Sequence, residues 1–181
     1  MPYLSVGGNC HGNNTGKFAS NSKSTMAIYR YSAVQRIPAD IETVWDFFTS
    51  HANLKQITPP YMGFDIVSEH GEGEKVYPGM IIQYRLTPLF GIPMRWVTEI
   101  THIRDREYFI DEQRFGPYAL WHHQHWFTPI DGGVEMKDIV NYKLPLGFIG
   151  DIAHSLMIKQ QIRSIFKFRV KKVEEIFGRF E

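Results

Sequence analysis

The 181-residue sequence predicts an α+β domain in which a curved antiparallel sheet of about seven strands wraps around a long C-terminal helix. Three observations predict it. Runs of alternating apolar and polar residues, typical of strands with one buried face, recur from residue 28 to residue 143. Two short helical patterns follow the first run. From residue 148 to residue 180 apolar residues recur every three or four positions, as in an amphipathic helix.

One domain is expected to cover residues 26–181. The first 25 residues are rich in Gly, Asn and Ser and carry too little apolar surface to offset the entropy of ordering. We interpret residues 1–25 as a flexible leader. They lack the apolar core of a secretory signal, and no run of about 18 apolar residues predicts a membrane span. A soluble, cytoplasmic protein without stable membrane insertion is therefore expected.

The overall composition excludes several classes of function. A formal net charge of +1 offers no electrostatic argument for a nucleic-acid partner. The single cysteine, Cys10, excludes an internal disulfide framework and a cluster of thiolate metal ligands. Aromatic residues make up 14% of the chain, which suits a protein that lines a pocket as well as filling a core.

The first elements are a strand and two short helices. Ile28–Ile37 is rich in aromatic and β-branched residues, as strands are. Asp40 is a predicted N-cap of the helix that follows, and a second short helix is expected over Ala52–Ile57, ending before Pro59. The first helix carries an apolar stripe made of Ile41, Val44, Trp45, Phe47 and Phe48.

Three further strands precede the central part of the sheet. They are expected at Phe64–Glu69, Met80–Leu86 and Arg95–Ile103, separated by loops at Gly71–Glu74 and Pro88–Pro93. The second loop is apolar. Such a loop is typical of a pocket mouth, a partner surface or a satellite hydrophobic cluster, and these alternatives stay open.

The C-terminal pattern predicts one helix over Phe148–Phe180. At roughly 1.5 Å per residue it would be about 48 Å long and could cross a small domain. Because Glu174, Glu175 and Glu181 interrupt its positive charge, we interpret its cations as a solvated outer face rather than a membrane-binding one. These cations are Lys159, Arg163, Lys167, Arg169, Lys171, Lys172 and Arg179.

The segment Phe109–Tyr142 is the most informative part of the chain. It reads as a three-stranded meander with turns at Gly116-Pro117 and at residues 131–133. Polar residues recur on the face that also carries aromatic residues, namely Asp111, Gln113, His123, His125 and Asp138. Burying an ionised group without a partner is costly, so these side chains should pair with one another or line a wet cavity.

The turns suggest a register for this meander. If Phe127 pairs with Val134, His123 lies opposite Asp138 and His125 opposite Met136. A three-residue first turn places Asp111 opposite His123. A slip of one residue would move every side chain to the other face.

Four motifs carry a resemblance to a known family. They are D-E-Q at 111–113, G-P at 116–117, W-x-H-x-H-x-F at 121–127 and D-x-V-x-Y-x-L-P-x-G at 138–147. Together with the order of elements, they make residues 26–181 similar to the SRPBCC superfamily of START-related, helix-grip proteins. Within that superfamily the chain most resembles bacterial ligand-binding and polyketide cyclase/dehydrase-like members.

The resemblance implies a largely apolar cavity between sheet and C-terminal helix that holds a lipid-like, sterol-like or polyketide-like molecule. It implies no catalytic set, because related proteins bind, transport or transform their ligands. No metal and no cofactor are expected. The residues predicted to bind the ligand are Tyr84, Trp96, Asp111, Gln113, Trp121, His123, His125, Asp138 and Tyr142.

Purely structural roles for these residues also remain open. The aromatic residues could simply fill the core. The polar face could be an internal hydrogen-bond network that fixes the strand register, a contact for the polar end of a ligand, or a metal site built from His123, His125 and Asp138.

Three functions follow from these alternatives. The leading interpretation is a protein that binds a hydrophobic small molecule without transforming it. The second is a cyclase, aromatase or dehydrase in which His123 or His125 is the general acid or base and Asp111 or Asp138 orients it. The third is a regulatory or stress module whose ligand controls a protein partner, with Pro88–Pro93 as a gate. The sequence contains neither a G-x-S-x-G nucleophile motif nor a Gly-rich phosphate loop.

Overall fold

Seven antiparallel strands form one sheet in the computed structural model of the protein, which describes residues 27–68, 74–89, 92–145 and 157–181. In chain order the elements are β1 (Tyr29–Ile37), α1 (Ile41–Thr49), 3₁₀ helices at His51–Lys55 and Pro60–Met62, β2 (Asp65–Ile66), β3 (Ile81–Leu89), β4 (Ile92–Arg104), β5 (Tyr108–Phe115), β6 (Leu120–Ile130), β7 (Gly133–Lys143) and α2 (Lys159–Phe177). The strand order is β1-β7-β6-β5-β4-β3-β2. The predicted α+β class and the seven strands are confirmed.

Helix α1 begins where its capping residue predicts. Asp40 accepts a hydrogen bond from the backbone N–H of Thr43 at 2.7 Å, and the Thr43 hydroxyl donates to the same carboxylate at 2.8 Å. These bonds satisfy groups that the first helical turn leaves free. The next predicted helix is the 3₁₀ helix His51–Lys55, which is shorter than expected.

Two predicted segments between helices and central strands differ from the structure. The strand expected at Phe64–Glu69 is reduced to Asp65–Ile66, with residues 69–73 outside the described part. The Pro88–Pro93 loop prediction is wrong at both ends, because β3 and β4 continue until Leu89 pairs with Ile92. The sequence between Pro88 and Pro93 does not alternate between polar and apolar residues, so it did not indicate where the two strands end. Residues 90 and 91 lie outside the described residues.

Helix α2 presents one buried stripe to the sheet. Ile162, Phe166, Arg169 and Val173 are buried at intervals of four, three and four residues. The helix ends at Phe177, three residues earlier than predicted, where Gly178 takes φ +92° and donates its N–H to the Glu174 carbonyl at 3.0 Å. The predicted helix start at residue 148 lies outside the described residues. No helix in the described part is long and apolar enough to cross a bilayer.

The core consists of three clusters on the concave face of the sheet. One cluster packs α1 against the middle of the sheet, where Trp45 meets Phe127 edge-on at 5.3 Å between ring centroids. Another joins Met80 and Ile82 to Ile100 at the β3–β4 side. The third packs α2 against β7 and β1. The candidate functional site lies between these clusters.

The meander is confirmed, but one of its two registers is wrong. Asp111 faces His123 across β5 and β6, as predicted. Across β6 and β7, Phe127 faces Met136 rather than Val134, so His125 lies opposite Asp138. The turn is tighter than expected because Ile130 already pairs with Gly133. The error is two residues, so each side chain stays on its predicted face.

Candidate functional site

Four ionisable side chains meet on the concave face of three adjacent strands. Asp111 comes from β5, His123 and His125 from β6, and Asp138 from β7. His123 and His125 are 6% and 4% exposed, and Asp138 is 7% exposed. Alternation along each strand sends all four inward, and antiparallel pairing aligns them.

Each imidazole lies between two carboxylates. His123 Nε2 is hydrogen-bonded to Asp138 Oδ1 at 3.0 Å, and His125 Nε2 to Asp111 Oδ2 at 2.8 Å. The remaining ring nitrogens face the other carboxylates, with His123 Nδ1 3.4 Å from Asp111 Oδ2 and His125 Nδ1 3.0 Å from Asp138 Oδ1. The two carboxylates and two imidazoles therefore form a closed polar cluster.

Arg169 of α2 completes this cluster, and its placement corrects the sequence interpretation. Its side chain was expected on the solvated face of the helix but is buried. Its Nη1 lies 3.6 Å from Asp138 Oδ1, and the guanidinium stacks over the rings of Phe48 and Phe166 at 5.2 and 5.8 Å. The signal was present, because Arg169 falls three residues after Phe166, within the apolar stripe.

Charge balance explains how two carboxylates are tolerated in the core. Burial alone would raise the pKa of Asp138, but Arg169 and the two histidines outweigh it and hold that pKa well below its usual value. Burial likewise opposes ionisation of Asp111, yet His123, His125 and Arg169 lower its pKa. Both carboxylates are therefore ionised at neutral pH.

The pKa values of the two histidines shift in opposite directions. Burial lowers the pKa of His123, and the neighbouring His125 lowers it further. Burial also disfavours the charged form of His125, but its contacts with Asp111 and Asp138 outweigh burial and raise its pKa. A proton shared by the two rings therefore favours His125 over His123.

A cavity of about 200 Å³ opens beside the cluster, between the sheet and α2. Asp111, His123, His125 and Arg169 form its polar side. The rest of the wall is mostly apolar and includes the following residues: Phe47, Phe48, Leu54, Ile57, Met62, Phe64, Val76, Ile82, Tyr84, Leu86, Trp96, Ile100, Phe109, Tyr118, Trp121, Ile162, Ile165 and Phe166.

Six of the nine residues predicted to bind ligand lie at this wall. They are Tyr84, Trp96, Asp111, Trp121, His123 and His125. Asp138 contacts both histidines and Arg169 instead. Gln113 closes the turn between β5 and β6, since its amide donates to the Tyr118 carbonyl at 2.7 Å and accepts from the Tyr118 N–H at 3.3 Å. Tyr142 packs beside Tyr29, with ring centroids 5.7 Å apart.

Tyr118 and Phe109 are two of the wall residues that the sequence did not predict. Tyr118 follows the Gly116-Pro117 turn, where the alternation of strand residues does not indicate which face a side chain takes. Its ring centroid lies 4.8 Å from that of Trp121 and 5.5 Å from that of Trp96. Phe109 was placed on the correct face but not assigned to the site. It stacks on His125 with ring centroids 4.0 Å apart and planes at 18°.

Comparisons with known proteins support the fold. No family model matches the chain, and no curated protein matches its sequence. A START superfamily protein from Mycobacterium smegmatis matches with a TM-score of 0.59 at 13% identity, over 81% of this chain and 98% of that one. A structure from Chromobacterium violaceum matches with a TM-score of 0.63 at 9% identity, over 83% and 98% of the two chains.

A third solved structure, a protein from Thermus thermophilus, has a TM-score of 0.57 at 18% identity and covers 82% of this chain and 99% of its own. The chain therefore has the helix-grip fold of START-related proteins, as its motifs predict. At these identities the likeness defines the fold, so function has to be argued from the site.

Proposed function

We propose that the protein binds a compact hydrophobic molecule in the cavity between its sheet and α2, without transforming it. The observation that supports this most is the composition of the cavity wall, which is mostly apolar and carries one buried charged cluster, with a few further polar residues such as Asn53 and Gln161. A concave apolar wall with a few convergent polar groups is the usual form of a small-molecule site.

The aromatic residues of the wall favour a ring compound. Trp96 meets Trp121 edge-on at 5.2 Å, and Tyr118 packs against both. Aromatic side chains bury large areas with little loss of rotamer freedom and pack well on other rings. At about 200 Å³ the cavity is smaller than the roughly 300–1,000 Å³ of pockets for drug-sized ligands. A polyketide-like ring compound fits this description better than a long acyl chain.

The polar side of the cavity would orient one end of that molecule. The Arg169 guanidinium has several N–H donors, and the Asp111 carboxylate is an acceptor. A ligand hydroxyl or carbonyl placed there would replace its lost hydration with hydrogen bonds to these two groups.

The binding proposal is testable with 1-anilinonaphthalene-8-sulfonate, a fluorescent ring compound. Ile165 lies on the cavity wall and Ile176 is exposed on the same helix. Ile165→Trp should fill the cavity and weaken binding of the dye at least ten-fold, whereas Ile176→Trp should leave it unchanged. Equal affinity in both variants would place the dye elsewhere and count against the proposal.

One contact favours a second candidate function, a cyclase- or dehydrase-type enzyme. His125 and Asp111 form a 2.8 Å hydrogen bond at the cavity wall, which is the arrangement of a general acid oriented by a carboxylate. In this case a protonated His125 would give a ring proton to a ligand oxygen, and Asp111 would hold the resulting imidazole in place.

His125→Gln distinguishes the two candidates when each protein is incubated with a compound recovered from the protein of its native host. If the protein is an enzyme, the wild-type protein changes the mass of the compound and the variant does not, although the variant binds it with an affinity within a few-fold. If the protein only binds the compound, neither protein changes its mass. His122→Gln, altered on the opposite face of β6, is the matched control.

A further inference from the structure

The cavity side of the polar cluster presents three groups that ligate metals. Asp111, His123 and His125 offer ligand atoms that all lie within 4.8 Å of one another, and all three residues line the cavity. Two imidazoles and one carboxylate form a common ligand set for zinc and for non-haem iron. The sequence pattern suggested Asp138 as the third ligand, whereas the structure places Asp111 in that position.

The nitrogens on the far side of the imidazoles are held as they are in metal sites. His123 Nε2 is hydrogen-bonded to Asp138 Oδ1 at 3.0 Å, and His125 Nδ1 lies 3.0 Å from the same oxygen and 3.5 Å from Arg169 Nη2. Histidines that bind metals nearly always donate their other ring N–H to a carboxylate or carbonyl, which fixes the tautomer and the ring orientation. One carboxylate serves both rings here, and Arg169 lies 3.6 Å from the same oxygen.

The spacing of the ligand atoms allows a shared ion with small movements. Bonds of about 2.0–2.2 Å place neighbouring ligand atoms of one ion roughly 2.8–3.6 Å apart, from octahedral to tetrahedral angles. The distances from Asp111 Oδ2 to His125 Nε2 and His123 Nδ1 are 2.8 and 3.4 Å, close to those values. The wider spread of the full set, up to 4.8 Å, requires the imidazoles to turn towards each other by about an ångström.

We propose that Asp111, His123 and His125 bind one divalent transition-metal ion of the zinc or iron class, with its open coordination positions directed into the cavity. The imidazoles disfavour Mg²⁺ and Ca²⁺, which prefer oxygen ligands. Binding displaces the proton between His125 Nε2 and Asp111, and the open positions accept water or an oxygen of the cavity ligand. The proposal stands on the side-chain geometry and does not depend on the hydrophobic ligand.

The test titrates Zn²⁺ and Co²⁺ into metal-stripped full-length protein, with calorimetry for Zn²⁺ and visible absorption for Co²⁺. A Cys10→Ser/His11→Gln background removes the thiol and imidazole that residues 1–26 contribute. In this background we expect one equivalent of metal per chain, lost in Asp111→Asn and His123→Gln. Asp138→Asn should weaken binding about 10–100-fold, because it disturbs both imidazoles without removing a ligand.

His122→Gln is the matched control, since His122 is the residue directly before His123 and lies on the other face of β6. It should bind metal as the background protein does. Urea unfolding shows which variants fold, and the isosteric Asp111→Asn covers the case in which a histidine variant does not. Absence of stoichiometric binding to the folded background protein, or equal binding by Asp111→Asn, overturns the proposal.

Discussion

Arg169 on α2 and Asp138 on β7 form an ion pair between the C-terminal helix and the sheet, with Nη1 3.6 Å from Oδ1 and both side chains no more than 10% exposed. Removing one member of such a pair leaves the other charge buried without its partner. This contact therefore links the stability of the polar cluster to the docking of the helix.

Arg169→Met should lower the free energy of unfolding by about 3 kcal/mol, because Asp138 loses its cation. Urea denaturation measures this directly. Arg163→Met is the control, since Arg163 is exposed on the same helix, and it should change stability by less than about 0.5 kcal/mol.

An Asp138→Asn background separates loss of charge pairing from loss of packing. With the carboxylate neutralised, Arg169→Met should have a smaller effect than in the wild-type protein. An equal effect in both backgrounds would show that Arg169 acts through its contacts with Phe48 and Phe166 alone.

Phe127→Ala tests the packing of α1 on the sheet. Phe127 is 3% exposed and packs against Trp45 and Phe48, so the substitution should cost about 3–5 kcal/mol of unfolding free energy. Phe115, on the neighbouring strand, is 65% exposed, and Phe115→Ala should cost less than about 0.5 kcal/mol. Similar losses in thermal or urea unfolding would contradict the assigned faces.

Gly133→Ala tests the close approach of β1 to the start of β7. A Cβ added at Gly133 would lie 2.0 Å from the Ile37 carbonyl oxygen, so one backbone must move. We expect a loss of about 1–3 kcal/mol. Gly132→Asn, in the adjacent left-handed position at φ +77°, meets only the Phe180 ring at 3.6 Å, an ordinary van der Waals distance, and should cost about 1 kcal/mol. The reverse ranking in denaturant midpoints would refute this packing.

Alkaline pH should destabilise the protein through Tyr84. Burial, and then the Asp111 charge, raise the pKa of Tyr84 above that of an unfolded tyrosine, which is about 10. The contribution of the neutral Tyr84 side chain to stability is complete below about pH 10. It is lost as pH rises, because the tyrosine of the unfolded chain releases its proton at a lower pH than the tyrosine of the folded protein. Tyr84→Phe should reduce the decline in unfolding free energy by up to about 1.4 kcal/mol per pH unit.

Tyr61→Phe is the comparison for this prediction, since the Tyr61 ring is 61% exposed. Equilibrium unfolding of both variants between pH 9 and pH 11, roughly spanning the tyrosine range, gives the slopes. If Tyr84→Phe follows the wild-type slope, the Tyr84 hydroxyl is more hydrated than the structure indicates.

Most of the fold could be predicted because alternation along strands reports which face is buried. His123 and His125 share a face with Trp121 and Phe127 in both the prediction and the structure. The β6–β7 register could not be predicted, because several turns through Asp131, Gly132 and Gly133 keep the same faces. Only the pairing of Ile130 with Gly133 decides between them.

The membership of the polar cluster was less predictable. Arg169 was assigned to solvent by its residue type, although its spacing from Phe166 and Val173 placed it in the apolar stripe. Two carboxylates on a buried face require a cation from another element. This requirement was better evidence for the position of Arg169 than its residue type. Gln113 shows the opposite case, because a polar side chain on the same strand as Asp111 is used by the adjacent turn.

Native mass spectrometry of the protein purified from its own host tests the proposed function most directly. We predict one small organic molecule per chain, released on denaturation and much reduced in Ile165→Trp but not in Ile176→Trp. Wild-type protein that carries no organic molecule, or that carries the same amount as Ile165→Trp, would contradict binding in the cavity between the sheet and α2.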